Sequence, residues 1–239
     1  MKDQIIKFLA YNGKISVVCC STTNLVEKAR ILHDLSPLST AAMGRILTIT
    51  ALIGSEMKNE TDKLTIQIKG NGPIGKIVAV SDNKPHVKAC ITNPHADLPL
   101  NEFGKLDVGG GIGNEGFINV IKDIGLKEPY IGISPLISGE IAEDFANYFE
   151  TSEQKQTAVA LGVLVDKNVK IIDSSIEPEY ECGCSKEKFA GSLATLGEKQ
   201  LKEIIEEDGK AEIKCQFCNK IYQFNKEELE KILKEAKSK

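Results

Sequence analysis

Four of the seven cysteines lie in the last 58 residues of the chain, in two closely spaced pairs. Cys182-Gly183-Cys184 is followed, after thirty residues, by Cys215-Gln216-Phe217-Cys218. A Cys-x-x-Cys turn between two strands brings both sulfurs toward one point, and the Cys-x-Cys pair supplies two more from the start of a helix. Zinc takes four such ligands in a tetrahedron, and soft thiolates favour zinc over magnesium or calcium. All three histidines lie earlier in the chain, so the spacing predicts a zinc site made of thiolates alone.

Two interpretations of this predicted zinc site remain open. In the first, zinc is purely structural and holds together a segment too small to fold without it. In the second, the sulfurs are redox-active, because each pair is close enough to close a local disulfide and the Cys-x-Cys pair is the more strained of the two. Oxidation would then remove a metal contribution on the order of 10 kcal/mol and unfold the segment. Four lysines flank the sulfurs and are expected to offset the charge of the thiolates: Lys186, Lys188, Lys214 and Lys220.

The other candidate chemical groups are weaker. An odd number of cysteines without a secretion signal does not indicate a disulfide framework, and Cys19, Cys20 and Cys90 are expected to be buried thiols on strands. Residues 111–116 match G-x-G-x-x-G, but a strand pattern follows instead of a helix, so we expect a hairpin turn and no phosphate cradle. No arrangement typical of a hydrolase is present.

The elements that must position these groups begin with a predicted hairpin over residues 4–20, turning at Asn12-Gly13. A helix capped by Thr22 or Thr23 is predicted to run to about Leu35, where Ser36-Pro37 breaks it, and a second helix is predicted to run to about Glu56. Strand patterns follow at 64–69, 76–80 and 87–92, and a hairpin with a glycine-rich turn is predicted over 104–121. Ser138 is the expected cap of an amphipathic helix, and an apolar run at 159–165 ends this part.

A polar stretch at 166–181 is the predicted linker, and a small unit follows it. We expect a helix capped by Ser185, a second one over 198–207, and strands on both sides of the Cys-x-x-Cys turn. Asn225 with Glu228 predicts the start of a terminal helix. The fold class expected is α+β: a large mixed N-terminal domain at 1–165 and a small zinc-binding module at 182–239.

Composition excludes several classes of protein. The 239 residues are 41% hydrophobic and 27% charged, which is ordinary for a globular protein of one or two domains and excludes global disorder. A net charge of −4 with only two arginines argues against a dedicated nucleic-acid binder. Residues 38–57 are the best membrane candidate, but Arg45 near their centre favours a buried helix. The N-terminus does not resemble a signal peptide, so we expect a cytoplasmic protein without membrane partners.

The chain resembles the 33 kDa chaperonin family of redox-regulated holdases. The two cysteine pairs match the zinc switch of that family, and the resemblance covers residues 1–165 and 177–239. The other matching motifs follow in the family's order: Leu35-Ser36-Pro37 with Gly44-Arg45, Gly70-Asn71-Gly72-Pro73, Asn93-Pro94, Pro129-Tyr130, Ser138-Gly139-Glu140-Ile141-Ala142, Ser152-Glu153-Gln154 and Leu161-Gly162-Val163-Leu164-Val165.

The resemblance implies the function and the roles of the cysteines. Cys182, Cys184, Cys215 and Cys218 would bind one Zn²⁺ per chain when reduced, and would form the disulfides Cys182–Cys184 and Cys215–Cys218 when oxidised. The linker would then lose order, apolar surface would be exposed, subunits would associate into a homodimer, and unfolding client proteins would be held without ATP. No catalytic residue is implied.

The sequence departs from the family in two places. Val87-Lys88-Ala89-Cys90 stands where the family has an Arg-Gly-Tyr run, and a strand and helical linker expected after Leu164-Val165 are missing. The family's nominal mass exceeds that of this chain by about 7 kDa, or roughly 60 residues. Either the linker is truncated by a true deletion, or part of it is unresolved. The second explanation is favoured, because a metastable linker is the part that a crystal shows least well.

Two other functions compete with a chaperone. A thiol–disulfide oxidoreductase would use Cys215 and Cys218, and needs an exposed thiol with a low pKa. A zinc-ribbon module for nucleic acid would need a basic surface, whereas the segment from Cys182 carries 12 lysines against 11 acids.

Overall fold

The computed structural model describes residues 2–163 and 178–237, with side chains as far as 234. These residues form two compact units that divide after Glu181. The fold is α+β, as predicted. The apolar end of the predicted N-terminal domain at 164–165 and the predicted linker as far as 177 lie outside the described residues, whereas residues 178–181 belong to the first unit.

The first unit starts with the predicted hairpin. Strands β1 (Gln4–Ala10) and β2 (Ile15–Ser21) are antiparallel, with Ile6 opposite Cys19 and Phe8 opposite Val17. Tyr11, Asn12 and Gly13 have positive φ and make the turn, as the Asn-Gly signal indicates.

Helix α1 (Thr23–His33) begins where predicted but is capped differently. The side chain of Thr22 makes no capping hydrogen bond. Instead, the buried carboxylate of Asp3 accepts hydrogen bonds from the backbone N–H groups of Asn24 (3.0 Å) and Leu25 (2.7 Å). An acceptor that lies just before β1, some twenty residues earlier in the chain, therefore satisfies orphan donors of the first helical turn.

Replacing Asp3 by alanine is expected to lower the free energy of unfolding by about 1–2 kcal/mol, the usual cost of losing a helix cap. Asp3→Asn keeps one acceptor oxygen and is expected to lose less than Asp3→Ala. Urea unfolding of the two variants beside the wild-type chain measures both changes. Equal stability of Asp3→Ala and the wild-type chain would contradict this capping role.

Helix α2 (Pro37–Gly54) is the centre of the core, and Ser36, predicted only to break the preceding helix, caps it by accepting from the N–H of Ser39. It is the one helix among the described residues long and apolar enough to cross a membrane, and 78% of it is buried inside the protein. Its single charge, Arg45, donates a hydrogen bond to Glu140. The buried-helix interpretation is therefore consistent with its packing.

A six-stranded sheet packs against α2, in the order β7-β6-β3-β4-β5-β8. All neighbouring pairs are antiparallel except β5 and β8. The strands are β3 (Lys63–Lys69), β4 (Lys76–Asp82), β5 (His86–Ile91), β6 (Phe117–Asp123), β7 (Tyr130–Pro135) and β8 (Glu179–Tyr180). Alternating residues of β3 and β4, including Leu64, Ile66, Ile68 and Ile77, are fully buried on the helix side.

The hairpin predicted over 104–121 is wrong. Residues Val108–Ile112 form a short helix, α3, because the side chain of Asp107 accepts from the N–H of Gly110. The carbonyls of Gly111 and Ile112 accept from the N–H groups of Ile74 and Gly72. A Cβ at Gly70 would lie 2.1 Å from the carbonyl oxygen of Ile112, so this contact requires glycine. Residues 113–116 connect α3 to β6, so the expected hairpin turn at 111–116 is wrong, although a strand follows as expected.

Helix α4 (Ile141–Thr151) has the predicted amphipathic pattern, with Ile141, Phe145 and Tyr148 buried. Glu140 takes the N-cap position in place of Ser138, although no side chain caps the helix there. The carboxylate of Asp144 instead accepts from the N–H groups of Ile137 and Ser138. Residues 154–163 have no regular secondary structure.

The second unit has the predicted elements. They are α5 (Lys186–Ala194), α6 (Glu198–Glu207), β9 (Lys210–Lys214), β10 (Ile221–Asn225) and α7 (Lys226–Lys237). Ser185 caps α5, and Asn225 and Glu228 exchange the two hydrogen bonds of a capping box at α7. Its core is small and centres on Leu201, Tyr222, Phe224 and Leu229.

Candidate metal centre

Local structure positions the four cysteines as the spacing predicts. Cys182 and Cys184 lie just before α5, and Cys215 and Cys218 lie in the turn between β9 and β10. The N–H of Cys215 donates to Lys220 and its carbonyl accepts from Asn219, whose positive φ closes the turn. The chain therefore folds back so that both sulfurs of this turn point toward the Cys-x-Cys pair.

The four sulfur atoms form one cluster in which all lie within 4.8 Å of one another. The Sγ atoms of Cys182 and Cys215 are 3.7 Å apart, and those of Cys184 and Cys218 are 3.4 Å apart. Sulfurs placed 2.3 Å from a central ion at the corners of a tetrahedron lie about 3.8 Å apart. The cluster can therefore hold a metal ion with little movement, and its all-sulfur donor set fits zinc.

Tyr222 is a part of the centre that sequence reasoning missed. Its hydroxyl lies 3.1 Å from the Sγ of Cys184 and 3.1 Å from the carbonyl oxygen of the same residue. The alternation along β10 predicts a buried Tyr222, but only the folded unit shows that its hydroxyl reaches Cys184. The hydroxyl therefore restrains the Cys-x-Cys segment, which lies outside the β9–β10 hairpin.

The thiols have different acidities when they carry no metal. Burial raises the pKa of Cys182 to about 12. Burial also acts against ionisation of Cys184, but hydrogen bonds from Tyr222 and Cys218 lower its pKa to about 7. A metal ion must therefore displace protons from most of the cluster when it binds.

This pattern does not suit a thiol–disulfide oxidoreductase. Such an enzyme needs an exposed Cys-x-x-Cys thiol of low pKa. Cys215 is only 3% exposed, and burial raises the pKa of Cys218. Neither member of the pair has the properties of an attacking thiolate.

The flanking lysines differ in their contacts. Lys188 donates to the carbonyl of Gly183, which places its charge beside the Cys-x-Cys pair. Lys186 instead pairs with Glu228 and lies over the ring of Phe224, and Lys220 lies over the ring of Tyr222. The charge of Lys186 is therefore balanced by a carboxylate.

The remaining cysteines stand apart from this cluster. They lie on strands as predicted, but Cys19 is exposed on β2, so the expectation of a buried thiol is wrong there. The neighbours of Cys19 on the same side of this two-stranded hairpin, Ile6 and Phe8, are exposed as well. Cys20 is half-buried, and burial raises its pKa to about 12. Cys90 is half-buried on β5.

Comparison with known proteins finds one family. The model of the family described as Hsp33 protein matches residues 3–176 and 166–225. A 33 kDa chaperonin of Clostridioides difficile (strain 630) is 41% identical, over 98% of this chain and 100% of its own length. One of Clostridium botulinum (strain Eklund 17B / Type B) is 39% identical, over 99% of each chain.

A solved structure has the same fold. The crystal structure of the 33 kDa chaperonin (heat shock protein 33 homolog) from Thermotoga maritima superposes with a TM-score of 0.88 at 32% identity, covering 100% of this chain and 99% of that one. The match to the C. difficile protein extends over 290 residues. Since it covers 98% of 239 residues here, about 56 positions of that relative have no counterpart in this sequence. The two segments matched by the family model overlap at 166–176, within the predicted linker.

Proposed function

This chain belongs to the Hsp33 family of chaperones, and on that premise we propose that it is a redox-regulated holdase that works without ATP. The cluster of four sulfurs carries the proposal. Its members come from two local pairs, and each pair is close enough in sequence to form its own disulfide. Zinc, when bound, would keep the sulfurs as thiolates and cross-link the Cys-x-Cys segment to the β9–β10 turn.

The proposed activating step is oxidation of the four thiolates by peroxide. Each disulfide forms as two thiolates lose two electrons to one peroxide, which takes up two protons and leaves as two waters. Two peroxides thus convert the cluster to Cys182–Cys184 and Cys215–Cys218. Cys182, Cys184, Cys215 and Cys218 would no longer hold a metal once they are disulfides, so they would release the one Zn²⁺ per chain bound in the reduced state, and the second unit would lose its cross-link.

The proposed division of labour follows the sequence. Residues 1–165 would form the chaperone domain, 166–181 a linker shorter than that of the relatives, and 182–239 the redox switch. The partners would be unfolding proteins of the cytoplasm and, after oxidation, a second copy of this chain. Neither nucleic acid nor a membrane is proposed as a partner.

Oxidation is expected to switch on the suppression of aggregation. Peroxide at mildly raised temperature should release one zinc per chain, measured with a chromogenic chelator. The same treatment should allow the protein to prevent light scattering by heat-denatured citrate synthase. The reduced, zinc-loaded protein should not prevent this light scattering.

The chain provides a matched control for this experiment. Replacing Cys19, Cys20 and Cys90 by serine removes every thiol outside the cluster and should leave activation intact. Replacing Cys182 and Cys184 should abolish the response to peroxide. Zinc release without any gain in suppression would contradict the proposal, whereas turnover in insulin reduction would favour the oxidoreductase.

A further inference from the structure

Residues 178–181 lie against the edge of the six-stranded sheet and directly precede Cys182 in the chain. Their regular part is strand β8. It is two residues long and runs parallel to β5, with His86 opposite Glu179 and Val87 opposite Tyr180. The N–H of Glu179 donates to Pro85 (3.3 Å), and the N–H of Glu181 donates to Val87 (3.1 Å). Pairing this short contributes little by itself.

The side chain of Tyr180 makes further contacts that hold β8 against the sheet. It is 4% exposed, and its hydroxyl donates to the carbonyl of Ala89 (2.9 Å). The same hydroxyl accepts from the N–H of Ala89 (3.4 Å) and lies 3.1 Å from Nε2 of His33. Tyr180 thus satisfies both backbone groups of Ala89 that a longer strand would pair with. We call the site occupied by this side chain the Tyr180 slot.

The edge of β5 is longer than the strand that covers it. β5 runs to Ile91, whereas backbone pairing with β8 ends at Val87. If β8 left, the carbonyls of Pro85 and Val87 and both backbone groups of Ala89 would lose these partners. An edge strand with such groups is a template for another extended chain.

We propose that this edge of β5 is a client-binding site, closed in the reduced protein by β8. An extended segment of an unfolding protein would pair with β5 and place an aromatic side chain, tyrosine above all, in the Tyr180 slot. The inference rests on the proposed holdase function and names the surface and the class of polypeptide that it binds.

The position of β8 links this site to the redox state. Only Glu181 separates Tyr180 from Cys182, and the N–H of Glu181 makes the last backbone bond to β5. Closing a disulfide between Cys182 and Cys184 changes the backbone at Cys182, and that change acts on this bond first. Loss of this bond weakens the pairing of β8 with β5, which then depends on the contacts of Glu179 and on the Tyr180 side chain.

The test is binding of an unfolded probe by the full chain in its reduced, zinc-loaded form. The probe is reduced, carboxymethylated lactalbumin, which cannot fold. Tyr180→Phe and Tyr180→Ala weaken β8 and are expected to raise the affinity for the probe at least 10-fold over that of the reduced wild-type chain. Hydrogen exchange at the Ala89 amide should slow when the probe binds.

Tyr148→Phe is the matched control, because it also removes one buried hydroxyl from the first unit but lies on α4. It should leave the affinity unchanged. A second measurement needs no variant: a peptide with the sequence of residues 174–181 should displace the probe from the oxidised wild-type chain. Its analogue with alanine in place of tyrosine should be at least 10-fold weaker.

The outcomes separate this inference from the proposed function. One outcome would overturn the β5 site but remain consistent with the proposed holdase function. In it, the oxidised wild-type chain binds the probe, reduced Tyr180→Phe shows no increase in affinity, and the peptide does not compete. If Tyr148→Phe raised the affinity for the probe as much as Tyr180→Phe does, the increase would be due to general destabilisation, which would also overturn the site. An oxidised wild-type chain that fails to bind would count against the holdase, whereas binding by reduced Tyr180→Phe alone would still support the site.

Discussion

Replacing Cys215 by serine is expected to unfold the second unit within the otherwise folded chain. Metal binding contributes on the order of 10 kcal/mol to the folding of such small modules, which is as much as the whole stability of many domains. The apolar core of this unit is limited to a few side chains around Tyr222 and Phe224. A hydroxyl is a poor zinc ligand, and Cys215 is the most buried of the four sulfurs.

Amide hydrogen exchange of the reduced, zinc-loaded chain measures this effect. In Cys215→Ser, protection should be lost throughout α5, α6, β9, β10 and α7, and should persist in the six-stranded sheet. A chelator added to the wild-type chain should give the same pattern, and zinc should restore it. Cys90→Ser makes the same chemical change on β5 and should leave the second unit protected. Full protection of the second unit without metal would show that its apolar core is sufficient for folding and would contradict the prediction.

The second large effect is expected at Glu153. Its side chain is 7% exposed and accepts hydrogen bonds from Lys122, from Lys155 (2.9 Å) and from the hydroxyl of Tyr148 (2.9 Å). Replacement by glutamine leaves Lys122, itself mostly buried, without its counter-charge. Breaking such a pair costs about 3–5 kcal/mol, so Glu153→Gln should lose about 3 kcal/mol of stability at pH 7.

The effect should depend on pH in a defined direction. Burial acts against ionisation of Glu153, but the hydrogen bonds from Lys122 and Lys155 outweigh it and lower its pKa. A carboxylate whose pKa is lower in the folded state stabilises the protein at pH values above its pKa in the unfolded chain, which is about 4.3. This contribution is lost as the pH falls through the pKa of the folded state. The stability gap between wild type and Glu153→Gln should therefore narrow below pH 4.

Urea unfolding at pH 7 and at pH 3.5 tests both statements. Glu150→Gln, an exposed change in the last turn of α4 and three residues before Glu153, should stay within about 0.5 kcal/mol of the wild-type chain at either pH. If the difference in free energy of unfolding between wild type and Glu153→Gln were the same at both pH values, the destabilisation would come from packing and not from charge.

Local patterns in the sequence determined much of this protein. The Asn-Gly turn of the first hairpin, the helix break at Ser36-Pro37 and the Asn225–Glu228 capping box each depend on residues within four positions of one another. The four metal-binding candidates follow in the same way, because a Cys-x-x-Cys turn between two strands allows few geometries. Resemblance to a known family then supplied a function that spacing alone left open.

Tertiary structure decided whatever depends on residues far apart in the chain. Asp3, which lies just before β1, caps α1, and the last two carbonyls of α3, those of Gly111 and Ile112, accept from Ile74 and Gly72. β8 is too short to leave a pattern, and only its pairing with β5 reveals it. Hydrophobic periodicity records which side of an element is buried, but not which distant group it meets. Tyr180 and Tyr222 therefore acquire their roles only in the folded chain.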